Sequence, residues 1–445
     1  MKKRELIFFA AFATFLSANA QEKQTWSLDD CINYALEKNI QLQQNKISLQ
    51  ESEVDVKTAK AALFPSLSFN TGQNIVNRPY QENSATVSGT EIISSTNKTT
   101  YNGSYSLSAQ WTLWNGGQRL NNIKQQKKNQ EIAELSVAET ENTLKEEITK
   151  LFLQILYADE SVNINKGTLE VSKATYERAK ELFNQGSISK ADLAQLESQV
   201  GNDEYQLVTS ESSLRNYKLQ LKQMLELDGT AELELPVLDD AKVMQLLPNQ
   251  EDVYQTALAN RPEIQSSKLS IDNAKLAISS AKSGYFPTIS LSASTSSMTN
   301  NSSQNNWAQQ MKYGWNNMIG LNISVPIFNN RQTKSAVEKA QFQYNSSLLN
   351  LQDKQKGLYT DIETIWLDAL NAQQQYAAAE VKLKSSQTSF DMVNEQFKLG
   401  MKNTVELLTE KNNLLSAQQQ RIQAKYMAIL NRTLLDFYAG KNIEL

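Results

Sequence analysis

The chain has 445 residues, enough for two to four ordinary domains, but its 15 Gly and 7 Pro together are about 5% of the total, so long uninterrupted elements, helices above all, must dominate. A mean hydropathy of −0.50 excludes a polytopic helical membrane protein, and a net charge of −4 with no basic run argues against nucleic acid as a partner. The absence of His removes His triads and His-metal sites, and the single Cys31 removes a disulfide framework and a Cys-rich metal site.

Residues 1–20 have the layout of a secretory signal. Lys2, Lys3 and Arg4 form a basic start, and residues 6–16 are apolar but too few to span a bilayer as a helix. Ala18-Asn19-Ala20 is a small-x-small cleavage site that would leave Gln21 first, with no adjoining Cys to carry a lipid anchor. No later apolar run reaches the roughly 18 residues of a transmembrane helix.

A helix is expected over 27–62, ended by Phe64-Pro65, because Pro disfavours helix at the residue before it. A period-two segment follows at Leu67, Phe69 and Ile75. After a polar stretch, 78–100, the alternation resumes over 101–113, where Tyr101, Tyr105, Leu107, Ala109, Trp111 and Leu113 interleave with Asn, Ser, Gln and Thr. Trp114-Asn115-Gly116-Gly117 leads into 118–185, which holds one Gly and no Pro. There Leu144, Ile148, Leu151 and Ile155 are spaced 4-3-4, a coiled-coil seam, and a helix this long would reach about 100 Å. It breaks at Phe183-Asn184-Gln185-Gly186-Ser187, where Gly suits the left-handed residue that ends a helix, and a second helix follows over 190–227.

The chain then repeats itself. At an offset of 222, Lys46-Ile47-Ser48-Leu49 matches Lys268-Leu269-Ser270-Ile271, and Phe64-Pro65 matches Phe286-Pro287. At an offset of 214, Trp114-Asn115 matches Phe328-Asn329, and Phe183 and Gly186 match Phe397 and Gly400. The expected organisation is a first repeat over 21–227, with a strand pair near 66–114 and a hairpin tip near 183–192. A linker follows over 228–249, then a second repeat over 250–445. The second repeat has a helix over 250–282 and a strand pair near 288–328 whose second member covers 313–327. Its long helix covers 331–399, and after a tip near 397–406 a last helix covers 404–438.

The strands carry almost no charge, with Lys312 at one end, and place Tyr and Trp toward their ends, the pattern of transmembrane β-strands. An antiparallel sheet packed on helices would share the alternation, but the export signal favours a membrane. A sheet in lipid must close on itself, and closed barrels begin at about eight strands. With four strands per chain, two chains would give eight and three would give twelve. Each strand pair is flanked by helices, so the helices lie on one side of the membrane and the polar loops on the other.

The duplication, Phe-Pro before each strand pair, Trp114-Asn115-Gly116-Gly117 after the first, and the Phe-x-x-Gly turns followed by Asp192-Leu193 and Glu406-Leu407 resemble the TolC-like outer-membrane efflux protein family. The resemblance covers the mature chain. It implies a mainly helical protein with transmembrane β-structure: a homotrimer in which four strands per protomer build a twelve-stranded barrel among outer-membrane lipids of a Gram-negative bacterium, and long antiparallel coiled-coil helices build a periplasmic α-barrel. It implies a passive exit duct working with a periplasmic adaptor and an inner-membrane pump of the RND or ABC type. With no His, one Cys and no plausible catalytic cluster in the sequence, no cofactor, metal or catalysis is expected. A non-conducting coiled-coil surface protein and a periplasmic adaptor are the competing readings.

The resemblance also points to residues. The family closes its periplasmic end at the helix turns through an acid, a Tyr and an Arg. Here the matching positions are Asp192, Phe397 and Lys402, with Glu406 as the acid of the second turn. Phe397 lacks the hydroxyl and Lys402 offers only a point charge, so a gate would rest on Lys402–Asp192 attraction. Ser189-x-x-Asp192 and Asn403-x-x-Glu406 also read as helix-start boxes. Phe183, Gly186, Ile188, Leu399, Gly400 and Met401 form tips suited to an adaptor, and Trp111, Trp114, Tyr313 and Trp315 are expected at the membrane interface. Cys31 reads as a small packed residue. The neighbours Glu146-Glu147 and Asp239-Asp240 point different ways along a helix and make no acid/base pair.

Overall fold

A computed structural model describes residues 25–80, 98–229, 232–236, 238, 243–301, 303–443 and 445, and the backbone alone of 84–88 and 91–95. The export signal at 1–20 and the Asp239-Asp240 pair lie outside the described residues. In order, the elements are α1 (Leu28–Lys38), α2 (Ile40–Ala61), β1 (Ser66–Asn77), β2 (Ser84–Ser88), β3 (Glu91–Ser95), β4 (Thr99–Asn115), α3 (Gln118–Asn184) and α4 (Lys190–Met224). Then come α5 (Gln250–Asn260), α6 (Pro262–Lys282), β5 (Thr288–Asn300), α7 (Trp307–Tyr313), β6 (Asn316–Ser324), α8 (Gln332–Lys398) and α9 (Thr404–Tyr438). No described helix is long and apolar enough to cross a membrane.

Four expectations need correction. The helix expected over 27–62 is two helices, because Asn39 leaves the helical path and its Oδ1 accepts from Leu42 N (3.1 Å) to start α2. The helix expected over 250–282 is likewise broken at Arg261, where Pro262 opens α6. The polar stretch 78–100 contains the β2–β3 hairpin. The strand expected over 313–327 is shorter, since Tyr313 ends helix α7, Gly314 caps it and β6 begins only at Asn316.

The residues divide into two compact units, each drawing on both halves of the chain. One comprises the described residues within Met1–Asn45, Val137–Ile264 and Lys354–Leu445, and the other those within Lys46–Ser136 and Gln265–Asp353. The first is helical. The expected seam holds, with Leu144, Ile148, Leu151 and Ile155 all buried in a core shared with Leu221, Ile422, Ile429 and Cys31. Burial pushes the Cys31 thiol up to about 12, with Asp30 adding to the rise, so it is inert packing. Glu146, unpaired in the sequence reading, meets Arg261 at 2.7 Å. Arg261 also holds Glu263 at 3.0 Å and stacks over the Tyr438 ring at 4.1 Å, so the α5–α6 break is tied down where Pro262 interrupts the helix.

The second unit carries an antiparallel sheet in the order β1-β4-β5-β6. Its register sorts the residues by face, since paired residues share a side and neighbours alternate. Phe69, Leu107 and Thr295 are in line, as are Leu291, Trp111 and Leu321, while Ser68, Ser108 and Ser294 align on the other side. One face is therefore apolar and the other lined by Ser, Asn and Gly. The apolar face stays open, with Leu67 at 70% exposure, Leu321 at 60% and Ile319 at 80%. A sheet packed on helices would have buried these residues. The outer edges of β1 and β6 have no strand partner among the described residues. The Trp-Asn-Gly-Gly motif closes β4. Gly116 has φ +65°, and a Cβ there would meet Ser283 O at 2.6 Å, so only Gly fits.

Candidate functional site: the two helix turns

Both turns belong to the helical unit and share one construction. In the first, Gly186 sits at φ +76°, Ser187 N donates to Leu182 O (2.9 Å) and Gly186 N to Phe183 O (2.9 Å). In the second, Gly400 sits at φ +74°, Met401 N donates to Gln396 O (2.9 Å) and Gly400 N to Phe397 O (3.0 Å). These paired bonds satisfy the last carbonyls of α3 and α8, and the left-handed residue they require is why Phe-x-x-Gly occurs at both.

The next helices start in capping boxes, as the motifs implied. Asp192 N donates to Ser189 Oγ (3.1 Å) and Ser189 N to Asp192 Oδ2 (3.3 Å). Glu406 N donates to Asn403 Oδ1 (2.9 Å) and Asn403 N to Glu406 Oε2 (3.1 Å). The Ser189 hydroxyl, with help from Thr404, holds Asp192 below the usual carboxylate range. Lys402, then the Asn403 amide, does the same for Glu406.

The expected Lys402–Asp192 pair does not form within the chain. Lys402 Nζ instead lies 2.5 Å from Glu406 Oε1, four residues ahead in the first turn of α9. Phe397, expected at the gate, is buried at 4% exposure among Ala179, Leu196, Phe390, Leu407 and Leu408. Ile188, expected in the exposed tip, is half-buried against the same cluster. The exposed tip consists of Leu399 (74%), Met401 (70%), Phe183 (36%) and a residue the sequence reading missed, Val405 (58%). Its signal was an apolar side chain in the first turn of α9, where a solvated helix start would carry a polar one.

A second missed feature lies further along the same helices. Lys411 of α9 is buried and donates to Asp203 of α4 and to Ser172 of α3. Ser172 Oγ donates to Asp203 Oδ2 (2.5 Å) and Gln199 Nε2 to Asp203 Oδ1 (2.9 Å). Burial draws the Lys411 ammonium down from the ordinary lysine value, against the upward pull of Asp203. The cluster fastens α9 to the α3–α4 hairpin. Ser172, Asp203 and Lys411 lie 31 to 239 residues apart, so no local motif announced it.

The four interface aromatics are all in the sheet unit. Trp111 donates its indole N–H to Leu63 O (2.7 Å), and Trp114, Tyr313 and Trp315 are exposed at 46%, 70% and 60%.

Residues 31–226 and 253–441 match the outer membrane efflux protein family. The chain belongs to that family. Among its relatives, the outer membrane efflux protein BepC of Brucella suis is 21% identical over 445 residues, covering 97% of this chain and 90% of BepC. The alkaline protease secretion protein AprF of Pseudomonas aeruginosa is 20% identical over 66% of this chain, which spans only 60% of AprF's length. The solved structure of CusC, described with conformational changes accompanying folding and transmembrane channel formation, superposes with a TM-score of 0.77 at 18% identity, over 93% of this chain and 92% of CusC. At that identity the likeness concerns the fold. Family membership makes this an outer-membrane protein and accounts for a sheet whose apolar face is open.

Proposed function

We propose that three copies of this outer membrane efflux protein close a twelve-stranded barrel and act as a passive exit duct, receiving cargo from an inner-membrane pump through a periplasmic adaptor. The observation that carries this reading is the sheet: an exposed apolar face, a serine-lined opposite face and two edges without a strand partner among the described residues. In hydrocarbon, unpaired edges are tolerated only when closed, so β6 of one copy pairs with β1 of the next. The apolar face then meets lipid and the Ser, Asn and Gly face lines a wet lumen. The halves 21–227 and 250–445 are structural repeats, each supplying one strand pair and one helical hairpin.

At the tips, threefold symmetry gathers three copies of Asp192 and Glu406 round one axis, where they act as pore-lining acids while still capping their helices. Lys402, paired with Glu406, moderates that ring, and Phe397 supports it from within the cluster. Leu399, Met401 and Phe183, presented by Gly186 and Gly400 and backed by Ile188, offer the apolar surface an adaptor would cover.

Purified protein in planar bilayers is expected to give stable cation-preferring pores, and its mass in detergent that of a trimer. A monomer soluble without detergent overturns the reading. Asp192→Ala with Glu406→Ala is expected to raise conductance or shift selectivity, and no change in either would leave both acids as caps alone.

A further inference from the structure

We infer that α7 is a membrane-surface helix, lying on the lipid side of the sheet and seating Trp307, Tyr313, Trp315 and Lys312 in the anionic headgroup layer at the loop end of the barrel. The inference rests on the barrel reading above, which decides that the apolar face meets lipid.

The side on which α7 lies follows from the register. Ser297 pairs with Tyr105 and Thr295 with Leu107, in line with Ala293–Ala109 and Leu291–Trp111, so Ser297 is on the apolar face. Its hydroxyl donates to Met311 O in α7 (3.0 Å). Trp307 at the other end of α7 donates its indole N–H to Tyr105 Oη (3.4 Å), and the two rings meet edge to face with centroids 6.2 Å apart. Both contacts place α7 on the face that carries Leu107, Ile319 and Leu321, and not on the serine face.

The helix also replaces missing strand. Pairing of β5 with β6 ends at Ser296–Asn316, while β5 runs on to Asn300. There Gln310 of α7 does what a strand partner would do. Its Oε1 accepts from Asn300 N (2.7 Å) and its Nε2 donates to Asn300 O (3.0 Å). An edge left open here would be costly near hydrocarbon, and the side-chain amide closes it.

The depth fits an interface. Trp111 and Tyr101 are ten residues apart on β4, which at the usual strand rise and tilt is about 25 Å along the membrane normal, one apolar band. Trp111 and Trp114 form the girdle on the helix side of that band, and α7 approaches the other, its contacts running from Tyr105 and Ser297 to Asn300, whose β4 partner Asn102 adjoins Tyr101. Trp307 (59%), Tyr313 (70%) and Trp315 (60%) are exposed there, amphipathic rings of the kind that settle at headgroup depth. Lys312 is the one charged residue between 288 and 324, and its cation matches an anionic headgroup surface.

The test uses the full chain with Cys31→Ala and single nitroxide-labelled cysteines, in vesicles of phosphatidylcholine with or without phosphatidylglycerol. Collisions with oxygen and with a water-soluble nickel chelate report depth. Leu321→Cys serves as the lipid reference, Met318→Cys as the lumen reference and Tyr80→Cys as the loop reference. Labels from Tyr313→Cys and Trp315→Cys are expected within about 5–10 Å of the headgroups, between the Leu321 and Tyr80 references. Labels at 313 and 315 that behave like Tyr80 while 321 stays deep overturn the inference alone. Labels at 313 and 315 shielded from both reagents mean that a neighbouring copy covers α7, which overturns it too. A label at 321 open to the nickel chelate removes the barrel reading, and this inference with it. Lys312→Glu is expected to move the 313 label outward only when phosphatidylglycerol is present. The same position in both lipids overturns the anionic preference.

Discussion

Helices α4 and α9 both run 35 residues from a capping box, and each follows a helix of 67 residues through a Phe-x-x-Gly turn. Within one protomer they are packed very differently. α4 buries Leu196, Asp203 and Leu221, whereas α9 buries residues along its whole length, from Thr404 to Tyr438. α4 instead shows Tyr205 (68%), Val208 (59%) and Leu219 (58%) on its outer side. The tips diverge in the same sense, with Phe397 in the cluster at 4% exposure and its counterpart Phe183 outside it at 36%. A repeated sequence has thus given one hairpin whose second helix is a core element and one whose second helix keeps an apolar surface. In the proposed trimer that surface is available to a neighbouring copy.

The largest test of this asymmetry is the buried cluster, where the hairpins share a charge pair. At the repeat offset Asp203 corresponds to Ala417, so the pair has no twin. Lys411→Met is expected to cost about 3–5 kcal/mol in thermal unfolding of the detergent-solubilised protein, because it leaves the Asp203 carboxylate buried without its cation. Adding Asp203→Leu is expected to restore most of that loss. A mild single variant would mean that water reaches the pair, and α9 would lose its distinction as the buried partner. Next in size is the comparison of the two Phe residues. Phe397→Ala is expected to cost about 3–5 kcal/mol and Phe183→Ala under about 1 kcal/mol, from the difference in burial. Equal costs would show that assembly buries Phe183 as deeply as the protomer buries Phe397.

The parts of this structure that were legible in the sequence are those set by near neighbours. The long helices announced themselves through 4-3-4 spacing and missing Gly and Pro. The turns were marked by a Gly that must go left-handed, and the caps by boxes four residues wide. Strand alternation gave the faces of the sheet. It also misled at 313–315, because Tyr313 and Trp315 continue a period of two straight through the end of α7, and only the short pairing of β6 shows that the strand starts later. The breaks at Asn39 and Arg261 escaped for a related reason, since the apolar period continues across both. Pro262 could have exposed the second, as Pro belongs in a first helical turn. What could not be read were contacts between distant positions, such as Arg261 with Glu146 and Lys411 with Asp203. The Lys402 reading failed differently. It looked across to Asp192, while the partner four residues ahead was nearer.

That local pairing gives the smallest and most specific test, because the two caps draw on different forces. Ser189→Ala and Asn403→Ala are each expected to cost about 1 kcal/mol, as loss of a cap does elsewhere. Their pH and salt dependence should separate them. Both acids are held below their ordinary values, 3.8 for Asp192 and 4.5 for Glu406. A lowered carboxylate binds its proton more weakly in the folded state than in the unfolded one. Its contribution is therefore complete above the ordinary value and disappears as pH falls through the lowered one. For Asp192 the chief cause is a neutral hydroxyl, so added salt should leave its titration in place. For Glu406 the chief cause is Lys402, so salt or Lys402→Met should bring its titration up toward the ordinary value. Carboxyl chemical shifts followed through acid titration would show this. If both acids responded to Lys402→Met, the lysine would reach across to Asp192 in the assembled tip, and the two turns would act as one gate instead of two separate caps.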